Sequence, residues 1–148
     1  MLEIRTMREE DLQKAAELEK ECFGSEAWKE KDLRDSLSLD YALYLVASEK
    51  DQIIAMAGLR NMCGDADITN VAVSSEFRRR GIAVEILKEL MKGGEKMGVE
   101  NYTLEVRAQN TAAISLYEKL GFVREGLRKN FYENPRDDAL IMWKRKEV

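Results

Sequence analysis

A short run of basic and small residues, Arg78-Arg79-Arg80-Gly81-Ile82-Ala83, has the composition of an anion-binding loop. It lies between a predicted strand that ends at Val73 and a helix with a strong apolar stripe. The first turn of a helix carries free N–H groups and a partial positive charge, so phosphate binds there readily. Arginine is otherwise unfavourable at this end of a helix. The run therefore predicts an anion site, with a solvated basic turn as the alternative.

Two charged residues of a later segment, Glu105 and Arg107, lie two positions apart in a predicted strand. Residues two apart in a strand share a face, so these side chains lie together while Leu104 and Val106 face the core. A carboxylate on a central strand is costly to bury unless it is paired or used. Glu105 therefore either belongs to a structural network with Arg107 or water, or takes part in chemistry.

Tyr117 and Asn110 lie in the helix predicted after this strand. Tyr117 shares a helix face with Ala113 and Leu120, which predicts a core aromatic, although its hydroxyl also suits a half-wet cleft. Asn110 stands where the helix begins and predicts an N-cap. Both residues have structural explanations that leave room for a chemical role.

The composition excludes several kinds of site. The 148-residue chain contains no histidine, which rules out a Ser-His-Asp triad, a Cys-His pair and histidine-ligated zinc. Cys22 and Cys63 match no metal spacing and are predicted to be buried thiols, so no metal is expected. The net charge of −4 disfavours direct binding of nucleic acid.

The hydropathy and the start of the chain predict a cytoplasmic protein. No apolar run approaches the ~18 residues that would cross a bilayer, so no membrane partner is expected. The segment from Met1 to Arg5 lacks the pattern of a signal peptide. The length fits a single domain over residues 1–148.

Strand-like and helical apolar periods predict the element order β-α-α-β-β-β-α-β-α-β-β. The first helix is predicted to begin near a capping box formed by Thr6 and Glu9. Three consecutive strands, the last ending at Val73, form an antiparallel meander, and the helical crossovers after them imply a parallel pair. The predicted fold class is α/β, with one mixed sheet of the α+β kind covered by helices.

With its run from Arg78 to Ala83, the chain resembles the GNAT superfamily of N-acetyltransferases, which carries R/Q-x-x-G-x-G/A after its fourth strand. The strand order agrees over nearly the whole chain, so the resemblance implies the GNAT fold. More narrowly, the sequence is similar to the RimI-type branch, whose members acetylate the N-terminal alanine of a small-subunit ribosomal protein. The stretches that carry this likeness are Asn70–Val73, Leu104–Arg107, Asn110, Ala112–Ile114, Leu116–Glu118, Leu120–Phe122, Asn130–Tyr132 and Asp137–Met142.

The resemblance implies a role for each matching residue. Glu105 would be the general base, and Tyr117 the acid that protonates the departing thiolate, in direct transfer without an acyl-enzyme. The Val73 N–H would hold the thioester oxygen, and Asn110 would contact the pantetheine arm. Acetyl-CoA would be bound by Val71, Ala72, Val73, Arg78, Arg79, Arg80, Gly81, Ile82, Ala83, Val84, Asn110 and Tyr117.

The acceptor is implied less narrowly than the donor. The resemblance implies a protein N-terminus, in particular that of a ribosomal protein. A GNAT enzyme for a small-molecule amine and a non-catalytic acyl-CoA sensor remain alternatives. Two departures from the family pattern bear on these choices. Val84 stands where a basic residue is usual, and Ala27-Trp28-Lys29 replaces a Pro-Trp-Ser stretch before the second helix.

Overall fold

A computed structural model describes residues 2–146, and within them seven strands form one sheet. The two ends of the predicted 1–148 domain lie outside the described residues. The strands are β1 (Glu3–Thr6), β2 (Ala42–Glu49), β3 (Gln52–Met62), β4 (Asp65–Val73), β5 (Asn101–Arg107), β6 (Val123–Tyr132) and β7 (Asp137–Lys144). The α-helices are α1 (Leu12–Phe23), α2 (Glu30–Leu37), α3 (Ile82–Lys96) and α4 (Thr111–Lys119). The predicted class and element order are confirmed.

The strands follow the order β1-β2-β3-β4-β5-β7-β6 across the sheet. Neighbouring strands are antiparallel except for β4 and β5, which run parallel. The parallel pair arises because α3 joins these two strands and returns the chain to the same end of the sheet. The predicted meander of β2, β3 and β4 and the predicted parallel pair are both confirmed.

A β-bulge in β4 changes which side chains face which layer of helices. Gly58 of β3 pairs with Asn70, but the next residue, Leu59, pairs with Ile68, so Thr69 has no opposite residue in β3. One extra residue reverses the alternation of side chains along the strand and increases its twist. Ile68 therefore lies in the core beneath α3, while Asn70 is buried on the face that α1 covers.

Two apolar cores lie on opposite faces of the sheet. The larger core lies beneath α3 and α4, and the smaller lies beneath α1 and α2. The contacts of α1 and α2 with the sheet are concentrated on β2, β3 and β4. The same face of β5, β7 and β6 is therefore left open beside them. Within residues 2–146, no helix has the length and apolar character needed to cross a membrane.

Two local predictions are wrong. Cys63 is exposed because it forms, with Gly64, the two-residue tip of the β3–β4 hairpin, where both residues have positive φ. The capping arrangement before α1 lies two residues later than predicted, because the Asp11 carboxylate accepts a 2.8 Å hydrogen bond from the Arg8 N–H. Asp11 is also held by Arg5, which together with that N–H keeps the pKa of this carboxyl below its ordinary value.

Candidate active site

The two parallel strands at the centre of the sheet separate towards their carboxyl ends. Pairing of β4 with β5 is confined to the segments 65–67 and 101–103, although the strands continue to Val73 and Arg107. The bulge at Thr69, which adds twist to β4, lies two residues beyond Asp67, the last β4 residue that pairs with β5. A gap bounded by strand ends of this kind is the usual place for a ligand in an open α/β sheet.

The backbone N–H of Val73 points to the side of β4 that faces this gap. The next residue, Ser74, donates its N–H to the Ile54 carbonyl of β3 at 2.8 Å. Since successive N–H groups of a strand point to opposite sides, the Val73 N–H is directed away from β3. The Val73 carbonyl accepts hydrogen bonds from Arg78 Nε at 3.1 Å and from Cys22 Sγ at 3.4 Å. The end of β4 thus offers a donor to the gap while its carbonyl is held by protein groups.

The segment before α3 leaves the donors at the start of that helix available. Gly81 is the N-cap residue, with φ of 75°, and no side chain of the described residues caps this helix. Arg79 also has a left-handed φ, of 65°. Turns of this kind direct successive backbone N–H groups towards one point and make anion-binding concavities. Ile82 anchors the helix in the core, so the donors are held rigidly.

The three arginines of this segment are all exposed but are not equivalent. Arg78 turns back to the Val73 carbonyl and so ties the loop to the strand. Arg80 lies 3.2 Å from the Glu49 carboxylate and stacks on the Phe77 ring. The predicted cluster of positive charge is present around the helix start, and part of it also serves to shape the loop. Ala83 and Val84 are half-buried in the first turn of the helix.

Replacing Gly81 by alanine tests whether the loop binds the donor. A Cβ on Gly81 would meet no atom of the described residues, so the cost is the left-handed φ, about 1 kcal/mol of stability. Because the change also distorts the N–H groups at the helix start, we expect the KM for acetyl-CoA, the donor that the resemblance implies, to rise about tenfold.

The matched control for this change is Gly98→Ala. Gly98 has a φ of 86° and open space around it, but it follows the other end of α3. Steady-state kinetics and thermal unfolding of both variants separate the two effects. We expect Gly98→Ala to lose as much stability as Gly81→Ala but to keep the wild-type KM. Equal KM values in the two variants would argue against an anion site at Gly81.

Glu105 lies on β5, the strand at which the open half of the sheet begins. Leu104 and Val106 are buried on the opposite face, as predicted from the alternation in β5. The predicted alternative partner, Arg107, is engaged elsewhere, and the Glu105 carboxylate instead lies 3.5 Å from Arg128 Nε of β6. Glu105 is exposed and accessible to an acceptor that lies across this face.

Arg107 joins the two segments that border the open face. Its guanidinium pairs with the Glu26 carboxylate between α1 and α2, and it donates to the carbonyls of Glu133 and Pro135 between β6 and β7, at 3.1 and 2.7 Å. It also stacks on the Tyr132 ring, 4.5 Å from the centroid. This bridge could not be predicted from the sequence, because the partners are far apart in the chain and only the fold brings them together.

Tyr117 is more deeply buried than the half-wet cleft suggested by the sequence. Its ring packs edge-on against Phe122, 5.9 Å between centroids, and 8% of the residue is exposed. Burial raises the pKa of Tyr117 to about 12, with a smaller contribution from Tyr132. Burial also raises the pKa of Tyr132 to about 12, and Glu105 adds to that shift. Tyr132 therefore interacts electrostatically with both Tyr117 and Glu105.

Asn110 is the N-cap of α4, as predicted. Its Oδ1 accepts a 3.2 Å hydrogen bond from the Ala113 N–H. The predicted contact with the pantetheine arm stays a prediction. Across residues 2–146, no group of three or more Cys, Asp or Glu side chains could hold a metal ion.

Comparisons with known proteins agree in both sequence and structure. The sequence model of the acetyltransferase (GNAT) family matches residues 12–122 of this chain. The ribosomal protein bS18-alanine N-acetyltransferase of Escherichia coli strain K12 is 33% identical over 141 residues, which cover 94% of each chain. The protein of the same name from Salmonella typhimurium is 38% identical over 117 residues, 78% of each chain. The crystal structure of the ribosomal-protein-S18-alanine N-acetyltransferase from Escherichia coli superposes with a TM-score of 0.90 at 31% identity, over 100% of this chain and 96% of that one.

Proposed function

The chain belongs to the acetyltransferase (GNAT) family, and we propose that it acetylates the N-terminal α-amine of a protein, in particular the N-terminal alanine of a small-subunit ribosomal protein. The acetyl donor of this family is acetyl-CoA. The observation that carries the acceptor proposal is the likeness, in both sequence and fold, to enzymes named for the alanine of ribosomal protein bS18.

The residues around the gap fit a ligand that carries both phosphates and a thioester. The uncapped start of α3 and the exposed arginines beside it suit a pyrophosphate, because they combine backbone donors with positive charge. The N–H of Val73 suits the thioester oxygen, because it is directed into the gap. The proposed binding set for acetyl-CoA is therefore Val71, Ala72, Val73, Arg78, Arg79, Arg80, Gly81, Ile82, Ala83, Val84, Asn110 and Tyr117.

The shape of the acceptor side supports a protein substrate over a small amine. The face of β5, β7 and β6 beyond Glu105 is open, and Ile141 and Trp143 lie half-exposed along it. The segments joined by Arg107 border this face as two walls. An extended chain terminus could lie between such walls, whereas a small free amine would be recognised better in an enclosed pocket.

The acceptor also determines how strong a base the reaction needs. An α-amine has a pKa near 8, so about one molecule in ten is already neutral at pH 7. A lysine amine, with a pKa near 10.4, is neutral in only about one molecule in a few thousand. A carboxylate that acts through a water molecule therefore suffices for an N-terminus, which fits a chain without histidine.

The proposed transfer is direct and uses two side chains of this protein for its protons. Glu105 takes a proton from the attacking amine through an intervening water, while the Val73 N–H stabilises the oxygen on which negative charge develops. Tyr117 donates its hydroxyl proton to the sulfur as the carbon–sulfur bond breaks. The proton held by Glu105 then returns through water to the Tyr117 oxygen, which restores both groups.

Acetylation of a panel of peptides by the purified protein tests the acceptor. We expect an Ala-starting peptide of the ribosomal protein to be acetylated on its α-amine, with a kcat/KM about tenfold or more above peptides that start with Ser, Met or Lys. Mass spectrometry locates the acetyl group. Preferred acetylation of free polyamines or amino acids would overturn the protein acceptor, and binding of acetyl-CoA without any turnover would indicate a sensor.

A further inference from the structure

A carboxyl group is buried where the segment between α1 and α2 meets the C-terminal half of β4. Glu19, on the sheet-facing side of α1, is only 1% exposed. Its Oε1 accepts a 3.0 Å hydrogen bond from the Trp28 N–H, in the segment between α1 and α2. Its Oε2 is buried and has no hydrogen-bond partner among the described residues. A buried carboxylate with one unpaired oxygen would be costly, so this residue requires an explanation.

A second unpaired acceptor belongs to the residue that faces Glu19. Asn70, the first residue after the bulge of β4, is 4% exposed, and its Oδ1 also has no partner among residues 2–146. Its side chain is a neighbour of Glu19 and influences the pKa of the Glu19 carboxyl. Two neighbouring buried acceptors are both satisfied by one proton placed between them, and a neutral carboxylic acid has such a proton.

The electrostatics of the site agree with a neutral carboxyl. Burial raises the pKa of Glu19, and this effect outweighs the opposing influences of the Trp28 N–H and the Asn70 amide. No charged side chain contributes to the shift. The following charged groups on α1 and on the elements packed against it have other partners: Glu9 and Glu30 with Arg34, Asp11 with Arg5, Glu21 with Ser75, Glu26 with Arg107, Asp32 with the Lys29 N–H, Asp35 with Lys31, Arg60 with Ser36, and Asp65 with Asn101. Asp67 of β4 is exposed.

We infer that Glu19 is held as an uncharged acid, which donates from Oε2 to Asn70 Oδ1 and accepts at Oε1 from the Trp28 N–H. It is then a positioning residue that fixes one wall of the acceptor site against the strand that borders the donor site. The part of this inference that concerns the acceptor rests on the proposed function. The protonation of Glu19 does not, because it follows from burial and from the two unpaired oxygens.

The variant Glu19→Gln isolates the proton. A glutamine can accept from Trp28 with its oxygen and donate to Asn70 with its NH2, so it reproduces the neutral acid. In the wild type, the folded state binds a proton that the unfolded state loses above about pH 4.3. The contribution of the neutral carboxyl is therefore complete below that pH and declines as the pH rises through the raised folded pKa. Glutamine has no such dependence.

Thermal unfolding between pH 5 and pH 8 measures this difference. We expect the Tm of Glu19→Gln to rise relative to wild type by about 3 °C over that range. Glu17→Gln, an exposed position on the same helix, is the matched control and should show no such trend. A difference between wild type and Glu19→Gln that is constant with pH would overturn the inference, because an ionised Glu19 facing the Asn70 NH2 predicts that result. This measurement does not depend on the identity of the acceptor.

Kinetics with the Ala-starting peptide test the positioning role. We expect Glu19→Ala to raise the KM for the peptide about fivefold, the equivalent of one neutral hydrogen bond, with the KM for acetyl-CoA changed less than about twofold. Glu19→Gln should restore the peptide KM. Equal increases in both KM values, or no rescue by glutamine, would contradict a specific link to the acceptor wall.

Discussion

A Glu105→Gln variant should lose about 100-fold or more in kcat on an N-terminal peptide at pH 7, with its fold intact. Removal of a positioned general base typically costs 10²- to 10⁴-fold, and the lower end applies here because part of the α-amine is already neutral. The side chain is exposed, and its ion pair with Arg128 is a surface pair that contributes little to stability. Stopped assays over a range of pH, combined with thermal unfolding, measure both quantities.

The pH dependence of the Glu105→Gln variant adds a second, independent result. As the pH rises through about 8, the free amine becomes neutral without help, so the deficit of the variant should narrow. Glu118→Gln is the matched control, because Glu118 is an exposed carboxylate of α4 that pairs with Arg124. That control should keep wild-type kcat. Unchanged activity and an unchanged pH profile in Glu105→Gln would remove Glu105 from the role of base.

A Tyr117→Phe variant should lower kcat about 10- to 100-fold while leaving stability nearly unchanged. The pKa of about 12 keeps the hydroxyl protonated at working pH, so it is always available as a donor. The same value makes complete transfer to a thiolate unfavourable, since an ordinary thiol has a pKa of about 8.5. We therefore expect transfer of the Tyr117 proton to the sulfur to be coupled to the return of the proton from Glu105, and we expect an effect on kcat at the lower end for acid catalysis.

Tyr102 provides a closely matched control for Tyr117→Phe. Its pKa is also raised to about 12, chiefly by burial, but its hydroxyl donates to the Met91 carbonyl of α3 at 2.8 Å. Tyr102→Phe should therefore cost about 1 kcal/mol of stability and keep wild-type kcat. Under saturating acetyl-CoA, we expect Tyr117→Phe to lose kcat but not stability, and Tyr102→Phe to lose stability but not kcat. A wild-type kcat in Tyr117→Phe would exclude it as the acid.

The sheet itself could be predicted from the sequence because its elements have strong local patterns. The strand that carries Glu105 and Arg107 and the helix that follows the basic loop were both expected, since alternation and a 3.6-residue period identify them. The parallel pair followed from the crossover helix alone. The bulge at Thr69 was not expected. It arises from the pairing of β4 with β3 and cannot be recognised in the residue pattern of β4 alone.

Burial was predicted less well than periodicity. Cys63 was expected inside on the basis of residue type, and the hairpin turn places it outside. For Tyr117 the sequence left both a core position and a half-wet cleft open, and the packing of α4 on Phe122 encloses the residue. Side-chain environment depends on what covers a residue, and the covering segments are distant in the chain.

The sequence by itself predicted an anion site in the loop from Arg78 to Ala83, because a basic, glycine-containing turn before an amphipathic helix carries its chemistry in adjacent residues. The class of donor came from the resemblance of the chain to the GNAT superfamily. The sequence also placed Glu105 on the face opposite Leu104 and Val106, because a strand alternates strictly. Only the tertiary structure decided the partners of Arg107 and the meeting of Glu19 with Asn70. Residue 26 is far from residue 107 in the sequence, and residue 19 is far from residue 70. These pairs come into contact only when the helices pack on the sheet.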